Sequence, residues 1–294
     1  MPKSTQALAE LIQTVHLLRA PGGCPWDRAQ THQTLRQYLI EEAYEVLDVL
    51  DQISSSEALK DAGVKNAFRE ELGDLLMQVL LHSEMTAEAG VFSIEDVATA
   101  LNEKLIRRHP HVFGEVKATD AESAIQTWEK QKAKEKASNP NASILDGLPR
   151  GLPALQKSAR ILEKVTKVGF QWSDMQGPLA KVDEELAEFK DEVLELEKLQ
   201  KASGDESAAQ AEQLRERVAG EMGDLLFTLC NVAYLMKISP EDALRGTLKR
   251  FESRFRHVET RLREQGKTPE QSNLEEMDRY WDEAKSLARK ESGK

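Results

Sequence analysis

The chain has 294 residues, 40% hydrophobic against 31% charged, and its 40 Lys and Arg against 51 Asp and Glu leave a net charge of -11. That length supports one large or two ordinary domains with buried cores, and the composition excludes a disordered chain. The negative field excludes nucleic acid and acidic membrane as partners unless basic groups cluster locally, so an anionic ligand would need a cation and a local basic patch.

In chain order, the opening stretch MPKSTQALAELIQ lacks the apolar core and small-residue cleavage site of a secretory signal. Cys24 and Cys230 stand outside any CxxC or disulfide framework, and the two observations together lead us to expect a cytoplasmic protein. Next, Leu39, Ala43, Val46, Leu50 and Ile53 follow a 3,4 spacing, which predicts a helix with one apolar stripe. A second helix is predicted around EELGDLLM at 70 to 77, with Leu72, Leu75, Leu76 and Val79 as its packed face. Residues 136 to 153 concentrate Ser, Asn, Pro and Gly, which is linker chemistry, so we divide the chain into 1–136, a linker at 137–150, and 151–294. Beyond it, Leu179, Val182, Leu186, Phe189, Val193 and Leu196 predict another striped helix, followed by a helix around GEMGDLLF at 220 to 227 with Met222, Leu225, Leu226 and Leu229 as its packed face. The weakly polar run at 225 to 236 is too short to cross a membrane.

These elements form an internal repeat. GGCPW at 22 to 26 returns as VGFQW at 168 to 172, LIEEAYEVLD at 39 to 48 as VDEELAEFKD at 182 to 191, and WEKQK at 128 to 132 as WDEAK at 281 to 285. A fainter parallel joins RHPHVF at 108 to 113 with RFRHVE at 254 to 259. Strand signals are nearly absent, so the expected fold is all-α: two tandem helical bundles of roughly four or five helices each.

The acids are placed for metal binding. Glu42 and Glu45, Glu71 and Asp74, Glu185 and Glu188, and Glu221 and Asp224 are each three residues apart and share a helix face. If the two helices of one half pack antiparallel, four carboxylates meet at the bundle edge, and such charges repel unless a cation neutralises them. All-oxygen ligands suit Mg²⁺ or Mn²⁺. A di-iron carboxylate site needs ExxH pairs, and no His has a Glu three positions before it. Gly73 and Gly223 weaken their helices by about 1 kcal/mol each, so they are expected either to clear room beside the acids or to permit close helix packing.

An EExxE followed at a distance by ExxD is the signature of the MazG-like, all-α nucleoside triphosphate pyrophosphohydrolases. Here it reads Glu41, Glu42 and Glu45 with Glu71 and Asp74, and again Glu184, Glu185 and Glu188 with Glu221 and Asp224. GCPWD at 23 to 27, RRHPHVF at 107 to 113 and LPRGLPAL at 148 to 155 also resemble the two-domain members, and the likeness covers nearly the whole chain. It implies a Mg²⁺-dependent enzyme that cleaves nucleoside triphosphates between the α and β phosphates, and a homodimer. The absence of GxxxxGK[ST] excludes a Walker-type ATPase. By the same resemblance, Lys181, Glu184, Arg217, Arg250, Arg254, Trp281 and Lys285 form the substrate-binding set. Glu185, Glu188, Glu221 and Asp224 are the catalytic metal ligands, and Glu42, Glu45, Glu71 and Asp74 are a second metal site. The first half has Tyr38 where Lys181 stands and Ala67 where Arg217 stands, while Lys104, Arg108, Trp128 and Lys132 match Arg250, Arg254, Trp281 and Lys285. The second half is therefore expected to be the main catalytic one. Trp172 and Trp281 are candidates to stack on a base. Two other readings stay open: a dUTPase-like or phosphoribosyl-ATP hydrolase, and a non-catalytic helical module that senses nucleotide or binds a partner helix.

Overall fold

Residues 3–53, 55–136, 143–201 and 207–292 are described by the computed structural model, and among them there are twelve α-helices and no strand. The helices are α1 (Lys3–Arg19), α2 (Pro25–Ala29), α3 (Arg36–Leu50), α4 (Ala62–Glu88), α5 (Ile94–Arg108), α6 (Pro110–Phe113) and α7 (Ala121–Lys136), then α8 (Ala154–Thr166), α9 (Gln176–Lys201), α10 (Ser207–Leu235), α11 (Pro240–Glu264) and α12 (Leu274–Ser292). They divide into two compact units, Met1–Pro140 and Asn141–Lys294. No described helix is long and apolar enough to cross a membrane. Of the expected linker, residues 137–142 lie outside the described part. The rest is held down: the Lys164 ammonium on α8 donates to the backbone oxygens of Ile144 (2.7 Å) and Asp146 (3.0 Å).

The N-terminal unit is built on α4, whose 27 residues extend roughly 40 Å. Asp61 starts it, its carboxylate accepting from the Gly63 and Val64 amides, and Gly90 turns the chain away just after it at φ +68°. Ser93 then opens α5 with a reciprocal capping box to Asp96. The core gathers Val15 of α1, Leu35, and Leu80, Leu81 and Met85 of α4, each large side chain contributing about 1.5–3 kcal/mol by leaving water. A charged clasp ties α1 to the end of α4: Arg19, whose side chain is only 6% exposed, donates from Nε and Nη2 to the two Glu88 oxygens, both at 2.8 Å.

In the C-terminal unit α9 and α10 lie along each other, with α8 against α10 and α11 against α12. Leu162, Ala211, Leu214 and Cys230 are buried among the first three helices, and Val258, Leu262 and Tyr280 form the contact between the last two.

Two expectations about the apolar stripes are corrected. The α3 helix ends at Leu50, so Ile53 lies beyond its stripe. The expected packed face of the two long acidic helices is also largely open: Leu72 and Leu76 are 44% and 37% exposed, and Met222 and Leu226 47% and 46%. The face of α4 that enters the core carries Gln78, Leu80, Leu81, Ser83 and Met85 instead. Periodicity marks an apolar face but does not say which surface covers it.

Candidate functional site

Each unit places its acids where two long helices run side by side. In the N-terminal unit, carboxylate oxygens of Glu42 and Glu45 on α3 and Glu71 on α4 lie within 4.8 Å of one another; in the C-terminal unit, Glu185 and Glu188 on α9 and Glu221 on α10 do the same. The pairing is antiparallel: Glu45 faces Glu71 while Glu42 faces Asp74, and Glu192 faces Arg217 while Glu185 and Glu188 face Glu221. The i, i+3 spacing supplies two acids from one helix, and the neighbouring helix supplies the third. Asp74 and Asp224, with side chains one methylene shorter, stand outside the 4.8 Å sets, though their charges still act on Glu42 and Glu71 and on Glu221.

The electrostatics show what such a site lacks. Burial, and then the charges of Glu188, Glu185, Asp224 and Glu192, push the Glu221 carboxyl above its ordinary value. Burial and Asp74 raise Glu42, and burial and Glu45 raise Glu71. Crowded oxygen donors that oppose one another's ionisation are offset by a hard divalent cation, so both clusters fit one by donor type and by charge.

The surroundings of the two clusters differ. Lys181 sits one turn before Glu185 and contacts Glu184 and Glu185, both at 2.7 Å. At the matching place Tyr38 packs on the N-terminal core, edge-on to Trp26 with ring centroids 5.9 Å apart. Arg217 does not turn toward Glu221: its guanidinium pairs with Glu192 and lies 3.7 Å from Glu195.

Arg250, Arg254 and Trp281 form a separate group where α11 meets α12. The Arg254 guanidinium lies 5.6 Å from the Trp281 ring centre, and Arg250 donates to the Thr247 hydroxyl at 2.8 Å. Beside them is a cavity of about 360 Å³ lined by Lys249, Arg250, Ser253, Arg254, His257 and Ala288 among others. Lys285 instead bonds Asp282 at 3.0 Å. The first unit repeats the stacked pair, with Arg108 5.4 Å from the Trp128 ring centre.

Trp172 belongs to a third group. It lines an apolar pocket of about 400 Å³ with Ile161, Val165, Phe170 and Phe227, and Gln171 and Asn231 add an amide pair joined at 3.1 Å. Phe227 stands one turn after Asp224 on α10. The Trp172 ring also fills the space above Gly177, where any Cβ would fall 2.2 Å from it. Gly73 and Gly223 have open space on their Cβ side within 4 Å, so close packing inside the unit is not their purpose.

Sequence reasoning did not single out Glu192, Glu135, Asn231 or the His32–His82 pair, whose Nδ1 atoms are 2.8 Å apart in stacked rings. Glu135 had a signal: it stands seven residues after Trp128, where the second half has Ala288 seven after Trp281.

The model of the MazG nucleotide pyrophosphohydrolase domain matches residues 30–113, which include the first acid cluster. A nucleoside triphosphate pyrophosphohydrolase/pyrophosphatase MazG from Thermotoga maritima is 38% identical over 94% of this chain and 94% of its own length. A nucleoside triphosphate pyrophosphohydrolase from Escherichia coli K12 is 37% identical over 94% of this chain and 95% of its own length. One from Mycolicibacterium smegmatis is 39% identical over 57% of this chain and 48% of its own length.

Proposed function

The chain belongs to the MazG family, and from that premise we propose that it hydrolyses nucleoside triphosphates between the α and β phosphates, chiefly in its C-terminal unit. In that reaction water adds to the α phosphorus, the bridging P–O bond breaks, and a monophosphate, pyrophosphate and a proton leave. The observation that carries the proposal is the convergence of Glu185, Glu188 and Glu221 within 4.8 Å, which suits Mg²⁺ first and Mn²⁺ second. Glu185, Glu188 and Glu221 would hold a divalent ion that, when bound, would neutralise triphosphate charge and acidify a water.

The protein groups do the rest. Lys181 holds Glu185 in place through its 2.7 Å contact and sets a positive charge beside the cluster. Glu221, whose burial among acids opposes ionisation, gains most from a bound cation. Arg250 and Arg254 take phosphate oxygens, and the Trp281 face fixes the plane of the Arg254 guanidinium. The aromatic pocket beside Asp224 takes the base, with the amides of Gln171 and Asn231 available to its edge. Arg217, held by Glu192, reaches phosphate only by leaving that pair.

The exposed apolar stripes on α3, α4, α9 and α10 support a homodimer, since a second copy covers them without a new partner class. The unpaired cysteines fit a cytoplasmic setting, and the net charge of -11 argues against nucleic acid as a partner. The biological role is removal of unwanted nucleotides or control of a signalling nucleotide.

A panel of ribo- and deoxyribonucleoside triphosphates, with pyrophosphate and phosphate detected separately, tests the proposal. Metal-dependent pyrophosphate release is expected. Preference for dUTP or phosphoribosyl-ATP moves the chain to a neighbouring reaction, and binding without release makes it a sensor.

A further inference from the structure

The two units share a stacked arginine and tryptophan but differ in what occupies the arginine. In the N-terminal unit the Glu135 carboxylate on α7 accepts from Arg107 Nε at 2.8 Å and from Arg108 Nη2 at 2.6 Å. Arg108 is fixed at the same time by the Trp128 face at 5.4 Å. In the C-terminal unit the corresponding positions are Ser253 for Arg107 and Ala288 for Glu135. Both line the open cavity beside Arg250 and Arg254, and among the described residues no carboxylate pairs with Arg254. So two paired residues of the first unit, an arginine and the acid that neutralises it, give way together to small side chains in the second, and space opens where the acid stood.

A carboxylate and a phosphate oxygen pair compete for the same face of a guanidinium, because both present two acceptors at matching spacing. We propose that Glu135 is an internal occupant of the phosphate clamp in the N-terminal unit, so that positions 135 and 288 decide which copy of the site takes up a triphosphate chain. This rests on reading Arg250 and Arg254 as phosphate-binding groups. The strength of the contact agrees: Arg108 and then Arg107 pull the Glu135 carboxyl down to about 2, so it stays a bound anion across the physiological range. The α5–α7 contact thus has a second effect beyond tying two helices together, since the Nε and Nη2 edge of Arg108, once held by an acid of its own unit, is closed to the two oxygens of an incoming anion.

The test counts bound nucleotide. An α,β-methylene nucleoside triphosphate, which resists hydrolysis, is titrated calorimetrically with Mg²⁺ into the full chain. One molecule per chain is expected for the wild type, two for Glu135→Gln, and one again for Glu135→Gln combined with Arg108→Ala. A folded Glu135→Gln chain that still binds one overturns the proposal, and Glu135 is then a helix tether only. Should Glu135→Gln fail to fold by circular dichroism, the converse pair decides: Ala288→Glu is expected to weaken binding at least tenfold against Ala288→Gln, which adds the same bulk without charge. Equal affinity of those two variants overturns the proposal. The count does not depend on turnover, so a wild type that binds the analogue but releases no pyrophosphate from natural triphosphates sinks the hydrolase reading alone.

Discussion

The N-terminal and C-terminal units carry the same three-glutamate cluster on the same antiparallel helix pair, yet the first lacks two of the five cations of the second, with Tyr38 and Ala67 where Lys181 and Arg217 stand, and holds a third differently. Lys181 touches Glu185 in one, and Tyr38, half-buried, packs against the core in the other. Arg254 borders an open cavity in one, and its counterpart Arg108 is occupied by Glu135 in the other. Acids alone make a place for a divalent ion, whereas a triphosphate also needs positive groups left available to it. The comparison teaches that two copies of one acid cluster can sit in different electrostatic surroundings through residues outside the cluster itself.

The largest expected effect breaks the comparison at the acids. Glu221→Gln is expected to lower pyrophosphate release by roughly 10²–10³-fold, the size of removing one preorganised electrostatic partner, while Glu71→Gln leaves turnover close to wild type. Equal losses in an initial-rate assay would mean that both units are catalytic.

Stability should be affected next. Glu88→Gln unclasps the nearly buried Arg19 and is expected to cost the N-terminal unit about 1.5–3 kcal/mol in urea melts, with turnover in the other unit retained. The pH dependence has a definite sign. Arg19 holds the Glu88 carboxyl below its ordinary value of 4.5. The clasp therefore contributes fully above 4.5 and is lost as pH falls through the lower folded value. The difference between Glu88→Gln and wild type should shrink in melts run below that range.

A smaller effect tests the open faces. Gly223→Ala and Gly73→Ala meet no atom within 4 Å, so each is expected to stabilise its unit by about 1 kcal/mol in dilute protein. If a second copy covers that face, the same changes weaken self-association in sedimentation runs. A stabilised variant with unchanged association would remove the dimer from that face.

The smallest expected effect concerns the histidines. Burial, and then the His32 charge, lower the His82 pKa below its ordinary value of 6.5. The unfolded chain takes up that proton first, so the N-terminal unit should lose stability as pH drops below 6.5. At the matching place in α10 stands Val232. A His82→Val variant should melt with a flatter pH profile across that range.

The family resemblance and the repeat were legible because both rest on spacing: EExxE and ExxD put acids on shared faces wherever a helix forms. So was the all-α fold, from stripes at Leu179 to Leu196 and Leu39 to Leu50 and the lack of strand signals. The Ser, Asn, Pro and Gly enrichment at 136–153 is a property of the sequence, but the contact of Ile144 and Asp146 with Lys164 is not, since Lys164 comes from another part of the chain. The assignment of Leu72 and Met222 to a packed face was wrong, since an apolar stripe reads the same whether its own unit or another molecule covers it. Arg217 entered the substrate-binding set by the resemblance, and the structure turns it to Glu192 across the helix pair.

The sequence alone determined which residues could share a helix face, because 3.6 residues per turn is a local property of the backbone. It therefore determined the four acid pairs, their duplication, and the positions where the halves differ in charge. Only the tertiary structure decided which acids meet within 4.8 Å, which arginine is held by Glu135 and which is left beside a cavity. Those outcomes depend on which helix lies alongside which, and charges at long range in the chain become partners only when packing brings them within a few ångströms.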